Sequence, residues 1–287
     1  AGLADSRSAI LNPANLHLAL AKAALESGAG LSEKTEVQAI ETVTEAGGVV
    51  LRGENFSTSA QKVVVATNGA IGRSLVPFRD FLIPVGSFVM ATAPFPETAD
   101  LGLLAQGTSA STAFRFPHYF RVIEGRRLLF GGRASLSLAG DIGKCAEWLH
   151  QRAADLFPGL AIPPVVACWG GRLGFSLDKS PLLGRLDGQR YYAMGCSGHG
   201  VPTSLAMARE VACRILGDAA NADMRQALPV SPFWREADAQ PSRAPRIVSL
   251  CLPLVRIGYQ ALDSFDRTVD RLRQASMPAS AIQETVH

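Results

Sequence analysis

The stretch YYAMGCSGHGVPTSLAMAREVACRILG, Tyr191 to Gly217, sets a short apolar run against a loop of three glycines that leads into a helical pattern. Gly195, Gly198 and Gly200 carry no Cβ, so a ligand can press against main chain there. Pro202 suits a first helical turn, where a missing N–H costs nothing. The first N–H groups of that helix have no partners inside it, and its dipole is positive at this end. The loop therefore suits a planar or anionic group resting on the helix start. A plain strand-to-helix turn is the other reading of the same residues. The spacing is GxxGxG rather than the GxGxxG of dinucleotide folds, and no acidic residue closes a second strand downstream.

The rest of the chain limits what that loop can serve. Its 287 residues suffice for a sizeable core and for two domains. Only 18% are charged, which describes a folded globular chain. A net charge of +3 with scattered basic residues does not describe a nucleic-acid binder. Cys145, Cys168, Cys196, Cys213 and Cys251 form no zinc-ligand or CxxC pair, so a reduced, cytoplasmic setting is expected. No apolar run reaches the roughly 20 residues that span a bilayer. The chain opens on Ala1 in the polar stretch AGLADSRS, without a secretory signal pattern, and a natural start upstream is expected.

Read outward, the texture changes twice. Leu16 to Ser27 is helical, with Asn12-Pro13 as its start and Gly28 as its stop. TEVQAIETV reads as a strand, and GGVVLRGENFSTSAQKVVVAT as two more and the entry to another, with a hairpin turn at Gly53-Glu54-Asn55. The run Lys62 to Thr67 predicts a strand buried on both faces of a parallel sheet. From Pro77 to about Pro164 the strands FLIPVGSFVMATAP and FRFPHYFRVIEGRRLLFGGRA, with a hairpin turn at Glu124-Gly125, precede an amphipathic helix from Asp141 to Leu156. From Val165 the α/β texture returns, with strand Arg190 to Met194 and helix Pro202 to Leu216. The expectation is a discontinuous α/β domain, 1–79 and 165–220, interrupted by an α+β insert, 80–164, and followed by a helical tail, 221–287. Within that tail Ile247 to Leu272 reads as one or two packed helices, with docking to a partner or a membrane surface as the other reading.

GCSGHGVPTS also resembles the GxSGHG segment of the D-amino acid oxidase superfamily, flavoproteins that oxidise amines and amino acids. LNPANLHLALAKAALESGAGLSEKTEVQAIE, QKVVVATNGAIGRSLVP, YFRVIEGRRLLFGGRA and LFPGLAIPPVVACWGGRLGFSLDKSPLLGRL resemble further segments of that family, in the same order. The tail PFWREADAQ with APRIVSLCLPLVRIGYQALDSFDR is similar to the γ-glutamylputrescine oxidase-like branch. The resemblance implies a glutathione-reductase-like FAD-binding domain with an inserted antiparallel-sheet substrate domain. It implies non-covalent FAD and a small-molecule amine or amino-acid substrate, with hydride leaving the carbon next to nitrogen. It leaves the oligomeric state open.

Residue by residue, the resemblance places Gly195, Ser197, Gly198, His199, Gly200 and Val201 against the flavin. Val37 and the run Ala66, Thr67, Asn68 fall where backbone meets the adenosine half, and Gly171 falls near the flavin. His199 would add a hydrogen bond or a proton path, and a capping or packing histidine is the alternative. Cys196 with His199 supplies only two ligands, so no metal is expected. Tyr119 and Arg121 share one face of a strand by alternation. In the resemblance they face the substrate, Arg121 pairing a carboxylate and Tyr119 walling the amine pocket; an ordinary strand with exposed polar residues is the alternative.

Three departures qualify the likeness. No GxGxxG occurs anywhere, so the chain reads as such an enzyme lacking its N-terminal nucleotide unit, either a fragment or a truncated product. Pro202 stands where sarcosine-oxidising relatives carry lysine, against a small N-methyl amino acid as substrate. Gly171 lies near the position of a flavin-linking cysteine in some relatives, against a covalent link there.

Overall fold

The structure is a computed structural model; it describes residue 5 and residues 7–43, 48–72, 75–104, 107–134, 141–217, 233–239, 241–243, 254, 257–258, 261–262 and 264–265. Most of the expected tail, including most of Ile247 to Leu272, lies outside the described residues. The chain divides into two compact units, Ala1–Val85 with Arg172–Ser249 and Gly86–Gly171 with Leu250–His287. No helix among the described residues is long and apolar enough to cross a membrane.

The first unit opens with α1, Pro13–Glu26. Asn12 caps it, its side-chain oxygen accepting from the amides of Ala14 and Asn15 at 3.0 and 3.2 Å. Gly28, at φ +88°, follows its end. None of the helix's residues is buried. Strands β1 (Ala39–Val43), β2 (Gly48–Arg52) and β3 (Ser57–Ala60) form a three-stranded antiparallel sheet. The turn expected at Gly53 closes with the Gly53 amide donating to the Phe56 carbonyl at 3.0 Å. Strand β4 (Val63–Val65) follows.

The second unit is built on most of β5 (Ile83–Pro94), β6 (Ser109–Ser111), β7 (Tyr119–Ile123), β8 (Arg127–Gly132), helix α2 (Ile142–Leu156) and β9 (Val165–Phe175) as far as Gly171. Its five-stranded sheet runs β6-β7-β8-β5-β9. Period-two alternation decides which side is core. Phe88, Met90, Val122, Leu128 and Phe130 are buried with Cys145, Leu149 and Ala153 of α2, while Tyr119 and Arg121 take the other face. Asp141 caps α2 through the amides of Gly143 and Lys144. The return to the first unit falls at Arg172, later than the expected 165, because β9 enters the second unit's sheet beside β5. An apolar strand does not reveal in its own residues which sheet it will join.

The chain then returns with β10 (Leu182–Arg185), β11 (Arg190–Met194), α3 (Gly200–Gly217) and β12 (Trp234–Arg235). The sheet order is β12-β10-β11-β4, with β4 parallel to β11. One face of this sheet buries Phe78, Phe81, Leu182, Tyr192 and Met194. The other buries Leu183, Tyr191 and Cys196 against Met207 and Val211 of α3. Burial pushes the Tyr192 phenol up to about 12. The valine run is corrected in two respects. Only Val63–Val65 is strand, and Val64 is 39% exposed while Val65 is buried. Among the described residues β4 has a neighbour on one side only, so it is an edge strand rather than a fully covered one.

Candidate active site

Strands β4 and β11 run in the same direction in register, Val64 opposite Tyr191 and Val65 opposite Tyr192. Their carboxyl ends therefore emerge side by side, the place where open α/β sheets bind ligands. From β4 come Ala66 and Thr67, both exposed, and then a 3₁₀ turn over Asn68–Ala70. From β11 come Gly195 at φ +68°, Cys196, Ser197 at +51° and Gly198 at +97°, and then α3. Helix α3 starts at Gly200, two residues before the expected Pro202.

These two chain ends are tied together. The Gly195 amide donates to Asn68 Oδ1 at 3.0 Å, and Asn68 Nδ2 donates to Cys196 Sγ at 3.1 Å. A third segment joins them, with the Ser197 amide donating to the Gly174 carbonyl at 3.1 Å. A Cβ on Gly174 would lie 2.5 Å from Asn68 Oδ1, and one on Gly69 would lie 2.7 Å from the Leu173 carbonyl carbon. Both positions need glycine for close approach of chain to chain. Val37 is half-buried, and its carbonyl is 3.9 Å from where a Cβ of Gly72 would stand, so it adjoins the segment that follows Asn68.

Gly198, His199 and Val201 are exposed at the mouth of α3. The His199 amide donates to the Cys196 carbonyl at 2.9 Å, and the His199 carbonyl accepts from Thr203 Oγ1. The first turn of α3 holds no acidic residue. The donor set fits FAD: bare glycine main chain, helix-start amides and no competing carboxylate are what an electronegative ring edge or a phosphate requires.

Two expected site residues lie in the second unit, on β7. The Tyr119 hydroxyl is 3.0 Å from Ser87 Oγ on β5. Its ring crosses β8 over Gly131, where a Cβ would lie 2.1 Å from a ring carbon. Arg121 is half-buried on the same face, opposite Leu129 and Ser109. Arg133 is a neighbour that sequence reading missed: burial holds its pKa below the usual arginine range, against an opposing electrostatic interaction with Tyr119. Gly171 is exposed on β9, and a Cβ there would meet nothing within 4 Å. Thus Val37, Ala66, Thr67, Asn68, Gly195, Ser197, Gly198, His199, Gly200 and Val201 fall in the first unit, and Tyr119, Arg121 and Gly171 in the second. The side-chain roles of Asn68, Cys196 and Ser87 were also missed. The one local signal was the Asn-Gly dipeptide at 68–69, which favours a positive φ.

This fold is similar to that of solved oxidases. Glycine oxidase from Geobacillus kaustophilus superposes with a TM-score of 0.60 at 24% identity, covering 77% of this chain and 56% of that one. Iminodiacetate oxidase from Chelativorans sp. BNC1 also reaches 0.60, at 16% identity, covering 77% and 57%. The chain belongs to the FAD dependent oxidoreductase family, whose pattern matches residues 1–214. Among curated relatives, a probable oxidoreductase, OrdL, of Haemophilus influenzae is 30% identical over 76% of this chain and 50% of its own length. The gamma-glutamylputrescine oxidoreductase of Escherichia coli is 28% identical over 80% and 54%. The chain spans about half the length of the curated relatives it matches.

Proposed function

We propose that the whole protein oxidises an amine or amino acid, and that a γ-glutamylputrescine-like amine is the substrate. FAD, when bound, would supply a hydride acceptor for the carbon next to the substrate nitrogen, and the imine so formed would be hydrolysed by water. The observation that carries the reading is the loop 195–200, which is buried over Gly195–Ser197 and opens α3 with Gly198 and His199 exposed beside the carboxyl end of β4. The amides of Gly200 and Val201 and the positive end of α3 would stabilise negative charge at the ring edge without rearranging. His199, whose ring makes no hydrogen bond among the described residues, would carry a proton or hold a ring oxygen. The first unit is assigned to the cofactor and the second to the substrate. There Arg121 would hold a carboxylate and the Tyr119 ring would wall the amine. The 28% identity to the Escherichia coli oxidoreductase supports the choice of amine.

A second reading rests on α1. It is rich in Ala and Leu yet none of its residues is buried, and Leu18 is 64% exposed. A nucleotide-binding βαβ unit, in the same polypeptide or in a separate chain, would cover that face and seat the pyrophosphate. Without such a unit this chain would be a non-catalytic product.

The test is a panel of γ-glutamylputrescine, D-alanine, glycine and sarcosine added without oxygen to the full-length protein, followed by flavin bleaching. Bleaching by γ-glutamylputrescine first is the expected result. A colourless protein inert to all four overturns the reading.

A further inference from the structure

We propose that Asn68 is a positioning residue, a latch that holds the 195–200 loop in its ligand-ready form before any ligand arrives. Three segments cross at this side chain: the end of β4, the stretch 172–174 and the loop itself. One amide group serves both ends of the latch, accepting from the Gly195 amide and donating to Cys196 Sγ. The partners stand 127 and 128 residues away in sequence, so the contact is purely tertiary. Asn68 sits at φ +46°, a conformation that asparagine and glycine tolerate best. Gly174 lacks the Cβ that would strike Asn68 Oδ1, and its carbonyl takes the Ser197 amide. The inner side of the loop is thus held by protein groups, while Gly198 and His199 stay exposed. A loop held this way spares the ligand the cost of ordering it.

Cys196 makes the latch readable. Its thiol is buried under Asn68, and a Cβ on Gly200 would lie 3.2 Å from it. Asn68→Gly keeps the backbone conformation and removes the amide. Asn68→Asp keeps the acceptor for the Gly195 amide and lets the thiol donate instead. Gly174→Ala drives a methyl into the latch from the other side.

The experiment is iodoacetamide labelling of the full chain, resolved by peptide mass spectrometry, with Cys145 as the buried control. Asn68→Gly and Gly174→Ala should each speed Cys196 labelling by about tenfold, the worth of one net hydrogen bond to a buried group, with Cys145 unchanged. Asn68→Asp should stay within about threefold of wild type. In the full-length protein the FAD dissociation constant should weaken in the same order; that arm alone rests on the flavin reading. Unchanged Cys196 labelling in Asn68→Gly, or equal acceleration of Cys145, overturns the latch. A wild-type protein that binds no FAD defeats the flavin reading, while the labelling still decides the latch.

Discussion

Gly195 shows how much one residue can decide. Its φ of +68° favours glycine, and a Cβ there would lie 2.9 Å from Leu182 Cγ. Gly195→Ala should cost about 1–3 kcal/mol, from backbone strain and overpacking together, read as a lower urea midpoint. Asp187 is a second residue with a testable signature. Burial pushes its carboxyl up, but the Arg190 side chain and the amides of Gln189 and Arg190 outweigh this and hold it below the usual carboxylate range. A depressed folded pKa stabilises the fold above the unfolded value and loses that contribution as pH falls through the folded one. Asp187→Asn should therefore lose up to about 1 kcal/mol at neutral pH, solvent screening included, and fall less steeply in stability below about pH 4. Urea titrations at pH 7 and at pH 3 check both parts.

Elements were legible where their signals are local. Asn12-Pro13 and Gly28 frame α1, Asp141 starts α2, and the Gly53 turn closes its hairpin, all through bonds within a few residues, while Gly125 turns β7 into β8 at a positive φ. The second unit's alternation, Phe120 and Val122 inward with Tyr119 and Arg121 outward, was equally plain, because a strand's period is two. The burial of β4 and the neighbour of β9 were not legible, since a run of valines specifies a strand but not its partners. Leu149, fully buried on α2, tests the second unit's core: Leu149→Ala should cost about 2–5 kcal/mol, measured by denaturant titration. Leu18→Ser on α1 should move the stability of this chain by less than about 0.5 kcal/mol, because that side chain is largely exposed.

At the scale of the whole molecule, the family assignment carries a cofactor prediction. No cysteine stands at 171, and Cys196 is buried under Asn68, so acid precipitation of the full-length protein should release all its flavin to the supernatant. Flavin fluorescence retained in the pellet would contradict non-covalent binding. The sequence by itself determined the three long helices, most of the longer strands and their order, and the glycine loop at a helix start, because these follow from periodicity, capping and turn chemistry; the short strands β6, β10 and β12 left no such signal. Only the tertiary structure decided that Asn68 holds that loop through Gly195 and Cys196, that Tyr119 reaches Ser87 across β8, and that β9 stays with the inserted sheet. Each of these joins groups that are far apart along the chain or on different strands, and no local pattern records which strand ends will come to lie side by side.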